Sequence, residues 1–314
     1  DSKGVYKMID YDMRQYKSLK MFIHAESIEG SNKLPGEGAE DELDKRLVGF
    51  LRLGSDLTEN YYQIEIPLKP TSYNNGSSNR FSADQVWNPD SNSIDFSLEK
   101  LTKIKAIAMN QADFSKPIYF NENLDIIDEF SAISELPGEK KYKFAIKGNP
   151  TIGSIKNIMI GVKNPSQNLG DILSAEVWFN ELRLSDIDGK GGWSALASLD
   201  ANLADFANIS VSGKMSTIGF GSIDKSPNQR SREDLKQYGL MSSLNLGQVL
   251  PEKWKIQIPV SYSISEEFST PEYDPFYQDI KLDDRLSSAT RVSQRDSIKN
   301  QAISYRKISS INVL

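Results

Sequence analysis

Residues 193–203, Trp-Ser-Ala-Leu-Ala-Ser-Leu-Asp-Ala-Asn-Leu, decide how this chain is read. Trp193, Ala195, Ala197, Leu199, Ala201 and Leu203 share one phase of a period-two pattern, and Ser194, Ser198, Asp200 and Asn202 share the other. Side chains alternate between the two faces of a strand, so this segment has one greasy face and one wet face. Three more segments repeat the pattern: Ile209, Val211 and Met215; Tyr238, Leu240, Leu244 and Leu246; and Trp254, Ile256, Ile258, Val260, Tyr262 and Ile264. Each is about the ~9–11 residues that a tilted strand needs to cross a bilayer. The second face is built of small hydrophilic residues that suit a watery lumen.

The pattern therefore predicts four antiparallel transmembrane strands. Trp193, Leu199, Leu203, Leu240, Leu244, Trp254, Ile256, Ile258 and Tyr262 are the lipid-facing candidates. Asn202, Asn208, Lys214, Asn245, Lys255 and Gln257 are the lumen-facing ones. Trp193, Tyr238 and Tyr262 are expected at the outer interface, and Phe206 and Trp254 at the inner one, as aromatic girdles require. Ile218 and Phe220 fall out of phase and predict a bulge. Pro259 lacks a ladder donor and predicts an edge or a second bulge.

The connections are unequal: 204–207 and 247–253 are short, whereas 222–236 is long. Barrels of the outer membrane pair short periplasmic turns with long extracellular loops, so the short turns are expected at the periplasmic side. Residues 267–307 read as a long loop, polar and helix-compatible from Leu282, and Ile311–Leu314 as the opening of a fifth strand. Four or five strands cannot close a barrel, since the smallest bacterial ones have eight. The strands are thus expected to belong to a larger barrel or to be completed by other chains.

Upstream, residues 1–186 read as all-β. Candidate strands are Val5–Tyr11, Leu19–Glu26, Leu47–Leu53, Tyr61–Leu68, Ile104–Met109, Tyr142–Ile146, Ile155–Val162 and Ala175–Leu184. Turn signals such as Gly54-Ser55-Asp56, Gly148-Asn149-Pro150 and Asn164-Pro165 separate them. About eight strands predict a jelly-roll-like β-sandwich. Asn74–Asn79 reads as a surface loop, and 125–136 as either a short helix or a loop. The polar, glycine-rich 187–192 is the expected linker, so the sandwich precedes the strands that begin at 193 and is expected on the extracellular side.

Composition narrows the function classes. A net charge of -6 without a dense basic run argues against nucleic acid as a partner. The absence of cysteine excludes disulfides, thiolate metal sites and a cysteine nucleophile. No run of ~18 apolar residues is present for a membrane helix, and the first residues lack the features of a signal peptide. Either such a signal has been removed or the chain is part of something longer. The single histidine, His24, has no second histidine or cysteine to share a metal, and a packed strand histidine is the expectation. Glu181, Asp186 and Asp188 lack the spacing of a calcium loop and are expected to do turn chemistry. No cofactor is expected.

At Ser174-Ala-Glu-Val-Trp-Phe-Asn-Glu-Leu-Arg-Leu-Ser-Asp186, Gly191-Gly-Trp193 and Ala204-Asp-Phe-Ala-Asn208 the chain resembles the SprA/Sov family. The likeness continues through Gly219-Phe-Gly-Ser-Ile-Asp-Lys-Ser-Pro227, Arg232-Glu-Asp234 and Pro271-Glu-Tyr-Asp-Pro275. Upstream it covers Phe50–Ser55, Tyr61–Pro67 and Ile158–Asn164. The resemblance implies part of a very large outer-membrane β-barrel in Bacteroidota, the protein-conducting translocon of the type 9 secretion system. It implies export of folded cargo with C-terminal sorting domains, a PorV-type outer-membrane partner, a plug protein, and a role in gliding motility. It transfers no catalytic residues, so a non-enzymatic role is expected.

Two other readings remain. A soluble carbohydrate-binding sandwich with an appended β module would line a sugar groove with Trp178, Trp87 or Tyr73. A glycoside hydrolase would need two carboxylates ~5–10 Å apart, and no Glu-x-Asp-x-Glu run supplies them.

Overall fold

A computed structural model describes the whole chain except residues 38–41, 72–81, 89, 110–112, 114, 167, 169–170, 226–228, 290 and 314. Tyr73 and the loop Asn74–Asn79 therefore lie outside the described residues. The fold is all-β and divides into two compact units, Asp1–Asp188 and Gly189–Leu314.

The first unit is a sandwich of two sheets. Its strands are β1 (Ser2–Tyr11), β2 (Tyr16–Ser27), β3 (Val48–Gly54), β4 (Tyr61–Pro67), β5 (Ser93–Ser97), β6 (Ile118–Phe120), β7 (Ile126–Ile127), β8 (Lys143–Lys147), β9 (Ile155–Lys163) and β10 (Ala175–Ile187). Seven form one sheet in the order β1-β9-β3-β4-β8-β6-β7, and three form the other in the order β10-β2-β5. A jelly roll is built from eight strands in two Greek keys; here the layers are unequal, seven strands against three.

The core lies between the layers. Leu19, Met21 and Ile23 of β2 and Ile94 of β5 meet Leu51 and Leu53 of β3, Ile64 of β4 and Phe144 of β8, all almost fully buried. Alternation explains why each strand gives every second side chain: Leu51, Ile64 and Ile160 are directly paired across β3, β4 and β9 and so share a face.

Among the described residues two α-helices are set into the connections, α1 (Ala83–Val86) and α2 (Glu99–Ala108). The segment Ile104–Met109, expected as a strand, is the last turn and a half of α2. Ile104, Ala106 and Ala108 do alternate, but Leu101, Ile104 and Ala108 follow the helical period and are buried together with Lys105. The short strands β5, β6 and β7 had no sequence signal, being only two to five residues long. Residues 125–136 hold β7 and a single 3₁₀ turn at Ile133–Glu135.

The expected turns carry their chemistry in side-chain acceptors. Asp56 Oδ1 accepts the backbone N–H groups of Thr58 (3.0 Å), Glu59 (2.6 Å) and Asn60 (3.0 Å), closing the β3–β4 hairpin. Partial burial works against its charged form, but these hydrogen bonds and that of the Asn60 amide outweigh it and hold the carboxyl well below the usual range. In β10, residues 181–182 oppose Met21 alone, a bulge in which Glu181 takes φ +54°. β10 runs on to Ile187, into the stretch expected as linker.

The second unit is one antiparallel sheet in sequence order: β11 (Ser194–Leu203), β12 (Ala207–Ser216), β13 (Glu233–Asn245), β14 (Pro259–Pro271) and β15 (Ser304–Val313). Helices α3 (Leu282–Ser288) and α4 (Val292–Ala302) lie in the last connection. Several expectations are corrected here. The fourth strand begins at Pro259 and not at Trp254, so Trp254, Lys255, Ile256, Gln257 and Ile258 precede it; Lys255 adopts φ +49°. Pro259 is the first strand residue, where a missing N–H costs no ladder bond, and no bulge is needed. Ile218 and Phe220 are out of phase because β12 ends at Ser216 and they belong to the turn after it. The strand regions at the two ends of 267–307, through Pro271 and from Ser304, belong to β14 and β15.

Candidate functional site: a two-faced sheet

Directly paired residues in an antiparallel sheet project to the same side, so the register of β11–β15 sorts every side chain into rows. On one face the rows are Leu203, Ala207, Leu244, Val260 and Val313; then Ala201, Ile209, Ser242, Tyr262 and Ile311; then Leu199, Val211, Leu240, Ile264 and Ser309. On the other face Asn202, Asn208, Ser243, Ser261 and Asn312 form one row, and Asp200, Ser210, Met241, Ser263 and Ser310 the next. The small polar groups are tied across strands: Ser210 Oγ donates to Asp200 Oδ1 at 2.5 Å, and the Ser263 and Ser310 hydroxyls meet at 2.8 Å.

Neither face is covered by protein among the described residues. Leu199 is 67% exposed, Tyr238 56% and Ile311 68%, and of the apolar strand residues only Ala207 is buried. Large apolar side chains turned outward in contiguous rows are unusual for a surface bathed in water.

The apolar face has defined ends. Above the third row, Ala197, Gly213 and Tyr238 are followed by Glu266 and Lys307, whose charged groups are 3.1 Å apart. Beyond them the rings of Phe268 and Tyr305 meet at a tilt of 33° with centroids 4.7 Å apart. At the opposite end lie the connections 204–206 and 246–258, which carry the exposed Phe206 and Trp254. From the Leu203 row to the Ala195 row is eight residues, ~27 Å along the strand, or ~20 Å measured across a sheet tilted by ~40°. Tyr262, expected at the outer interface, sits instead in the second row, at the end opposite Tyr238, because its strand starts five residues late.

The expected lumen residues Asn202, Asn208, Lys214 and Asn245 all fall on the polar face, and Leu199, Leu203, Leu240, Leu244 and Tyr262 all on the apolar one. Trp193 lies just before β11, its N–H bonded to Thr217 Oγ1 at 2.9 Å. Lys255, Gln257, Trp254, Ile256 and Ile258 are not on strands and join neither set of rows. Reasoning from sequence missed most of β15, three of whose five apolar-side residues are Tyr305, Lys307 and Ser309, and it missed Leu196, Met241 and Ile308, exposed apolar residues on the polar face.

The long connections, 217–232 and 272–303, share the end of the sheet away from the short ones, and the resemblance motifs Arg232–Asp234 and Pro271–Pro275 help build that end. Asp234 Oδ1 accepts the Ile218 N–H at 2.8 Å, and the Arg232 carbonyl accepts the Glu272 N–H at 2.8 Å. Asp274, 1% exposed, accepts the Phe276 and Tyr277 N–H groups and the guanidinium of Arg285.

In the first unit, His24 Nδ1 lies 3.0 Å from the Val86 carbonyl, and its ring is flanked by Trp178 at 5.1 Å and Trp87 at 5.8 Å. The imidazole fills the space between the two indoles that a sugar ring would need. Asp186 accepts from the Ser18 and Ser185 hydroxyls, which lower its pKa, and Glu181 pairs with Arg183. Among the described residues no three His, Asp or Glu side chains converge as a metal site. No described helix is long and apolar enough to cross a membrane, which says nothing of strands.

A search of curated proteins returned no match. A family model, described as motility related/secretion protein, matches residues 1–286. That span covers the sandwich, four of the five strands of the two-faced sheet and the motifs that organise its long-loop end, and the chain therefore belongs to the SprA_N family of motility related/secretion proteins.

Proposed function

We propose that residues 189–314 form part of the wall of an outer-membrane protein-conducting barrel, the translocon of the type 9 secretion system. The observation that carries this is the two-faced sheet with neither face covered. In lipid the Leu203, Ala201 and Leu199 rows are solvated by acyl chains, and the Asn202 and Asp200 rows border water. The wall facing a passing folded protein is mainly Ser and Asn, with Leu196, Met241 and Ile308 as scattered apolar groups. The free edges of β11 and β15 are joined to further strands, since an open ladder in hydrocarbon leaves several backbone groups unbonded, each costing several kcal/mol.

In this reading the short connections face the periplasm, and the sandwich of residues 1–188 stands on the extracellular side. The partners are a PorV-type outer-membrane protein, a plug protein and cargo with C-terminal sorting domains, and the chain performs no catalysis. The uncovered apolar face favours this reading over a soluble sugar-binding module.

The test places single cysteines in the translocon of living cells and reacts them with a bulky, membrane-impermeant maleimide. Labels at Ser198 or Ser212 are expected to block cargo export. Residues Leu199 and Val211, one position away, are expected to stay unlabelled with export intact. Equal labelling of both sets would refute the assignment of faces.

A further inference from the structure

The two layers of the sandwich are mismatched, and the mismatch leaves one side open. β1 is the outermost strand of the seven-stranded sheet, and β10 the outermost of the three-stranded one. Lys3, Val5 and Lys7 are paired directly with Val162, Ile160 and Ile158, which pack against the core, so all three point to the core-facing side. Val5 is nevertheless 67% exposed, because no strand of the smaller sheet lies over it. Clefts open at both ends of this side. One, of about 430 Å³, is lined by Lys3, Val162, Ala175 and Val177; the other, of about 290 Å³, by Ile9, Tyr11, Leu182 and Leu184. Both therefore have β1 or β9 on one wall and β10 on the other.

We infer that an extended peptide adds to the free edge of β10 as a fourth strand of the smaller sheet and closes the sandwich over β1. An edge strand offers unpaired backbone groups that a peptide in strand conformation can use. The core-facing side of β1 dictates the peptide's inward residues. Val5 and Ile9 call for apolar side chains, and Lys3 and Lys7, which make no ion pair with a described residue, call for acidic ones. The occupant is thus a protein segment whose inward positions alternate acidic and apolar, with polar residues between them. The bulge at 181–182 limits the paired length to one arm of β10 at a time.

The test uses the whole chain in detergent and blocked, fluorescent twelve-residue peptides. The probe is a Glu-Thr-Val-Thr repeat; the controls are a Lys-Thr-Val-Thr repeat and a version with proline at alternate positions. The acidic repeat is expected to bind and both controls to fail. The double variant Lys3→Glu/Lys7→Glu alters two exposed side chains and leaves the fold intact. It is expected to weaken the acidic repeat about fivefold or more, as two exposed ion pairs allow, and to gain affinity for the basic one. Benzophenone placed at Val5 is expected to cross-link to the acidic repeat, and at Val211 to give none. Equal binding of the acidic and basic repeats, binding unchanged in the double variant, binding by the proline peptide, or cross-links from Val211 alone would each overturn the proposal. So would a dimer of the chain that buries Val5, since the occupant would then be a second copy.

Discussion

Glu266 and Lys307 face each other across β14 and β15, 3.1 Å apart, on the side of the sheet whose rows are mostly Leu, Ile, Val, Ala and Tyr. They occupy the row where the apolar band ends, beside Tyr238 and below the Phe268–Tyr305 pair. In a bilayer this is headgroup depth, where a cation costs ~0–1 kcal/mol, against ~2–4 kcal/mol for Lys or Arg at the midplane. Leu240→Lys, two residues toward the middle of the band, is therefore expected to reduce the yield of membrane-assembled, protease-resistant protein steeply. Glu266→Leu, which leaves Lys307 unpaired at the interface, and Ser243→Lys, on the polar face, are expected to keep the yield within about twofold of the parent.

Asp274 anchors the long-loop end. Its buried carboxylate is neutralised by Arg285, and removing one partner of a buried pair costs ~3–5 kcal/mol. Two backbone donors remain in Arg285→Ala, so a loss of about 3 kcal/mol is expected, felt locally across residues 272–303. Hydrogen exchange should show that segment opening while β11–β13 stay protected; uniform loss of protection would contradict a local role.

Asp56 offers a prediction in pH. Its folded pKa is depressed, so its contribution is fully present above the unfolded value, near 3.9, and is lost as pH falls toward the folded one. Asp56→Ala also removes acceptors from three N–H groups and is expected to cost about 1–2 kcal/mol at pH 7, as loss of a capping side chain does. Urea unfolding followed by Trp87 and Trp178 fluorescence should show the gap between variant and parent constant from pH 7 to about 5 and narrowing below pH 4.

Gly161 holds β1 against the sheet. A Cβ there would lie 2.3 Å from the Lys3 carbonyl oxygen and 2.7 Å from the ring of Phe50. Backbone cannot move aside as a side chain can, so Gly161→Ala is expected to release β1, seen as rapid amide exchange in residues 2–10. Gly213→Ala, where added bulk meets open space, serves as the neutral comparison.

The two-faced sheet was legible because β11 and β12 keep their alternation over most of ten residues, broken on β11 only by Leu196, and a period of two leaves little freedom in which side each residue takes. Strand ends were less so. Trp254, Ile256 and Ile258 keep the alternation of β14, yet a 3₁₀ turn at Glu252–Trp254 and the positive φ of Lys255 keep them out of the ladder. β15 was half hidden because Lys307 and Ser309 occupy its apolar side, the first for the ion pair with Glu266. In the sandwich, the second half of α2 was mistaken for a strand because Ile104, Ala106 and Ala108 satisfy a period of two while Leu101, Ile104 and Ala108 satisfy that of a helix. Partners such as Asp274 with Arg285, eleven residues apart, and Trp178 with His24, on different strands, depend on tertiary placement that no local pattern reports.

The central claim is that one side of the 194–216 hairpin touches lipid and the other touches water. Spin labels placed one at a time from residue 207 to 215 in the membrane-assembled protein test it directly. Collision rates with oxygen, which concentrates in lipid, should peak at Ile209, Val211 and Met215, and those with a water-soluble nickel chelate at Asn208, Ser210, Ser212 and Lys214, in opposite phase. Two profiles rising and falling together, or a nickel signal equally high at Val211 and Ser212, would contradict it.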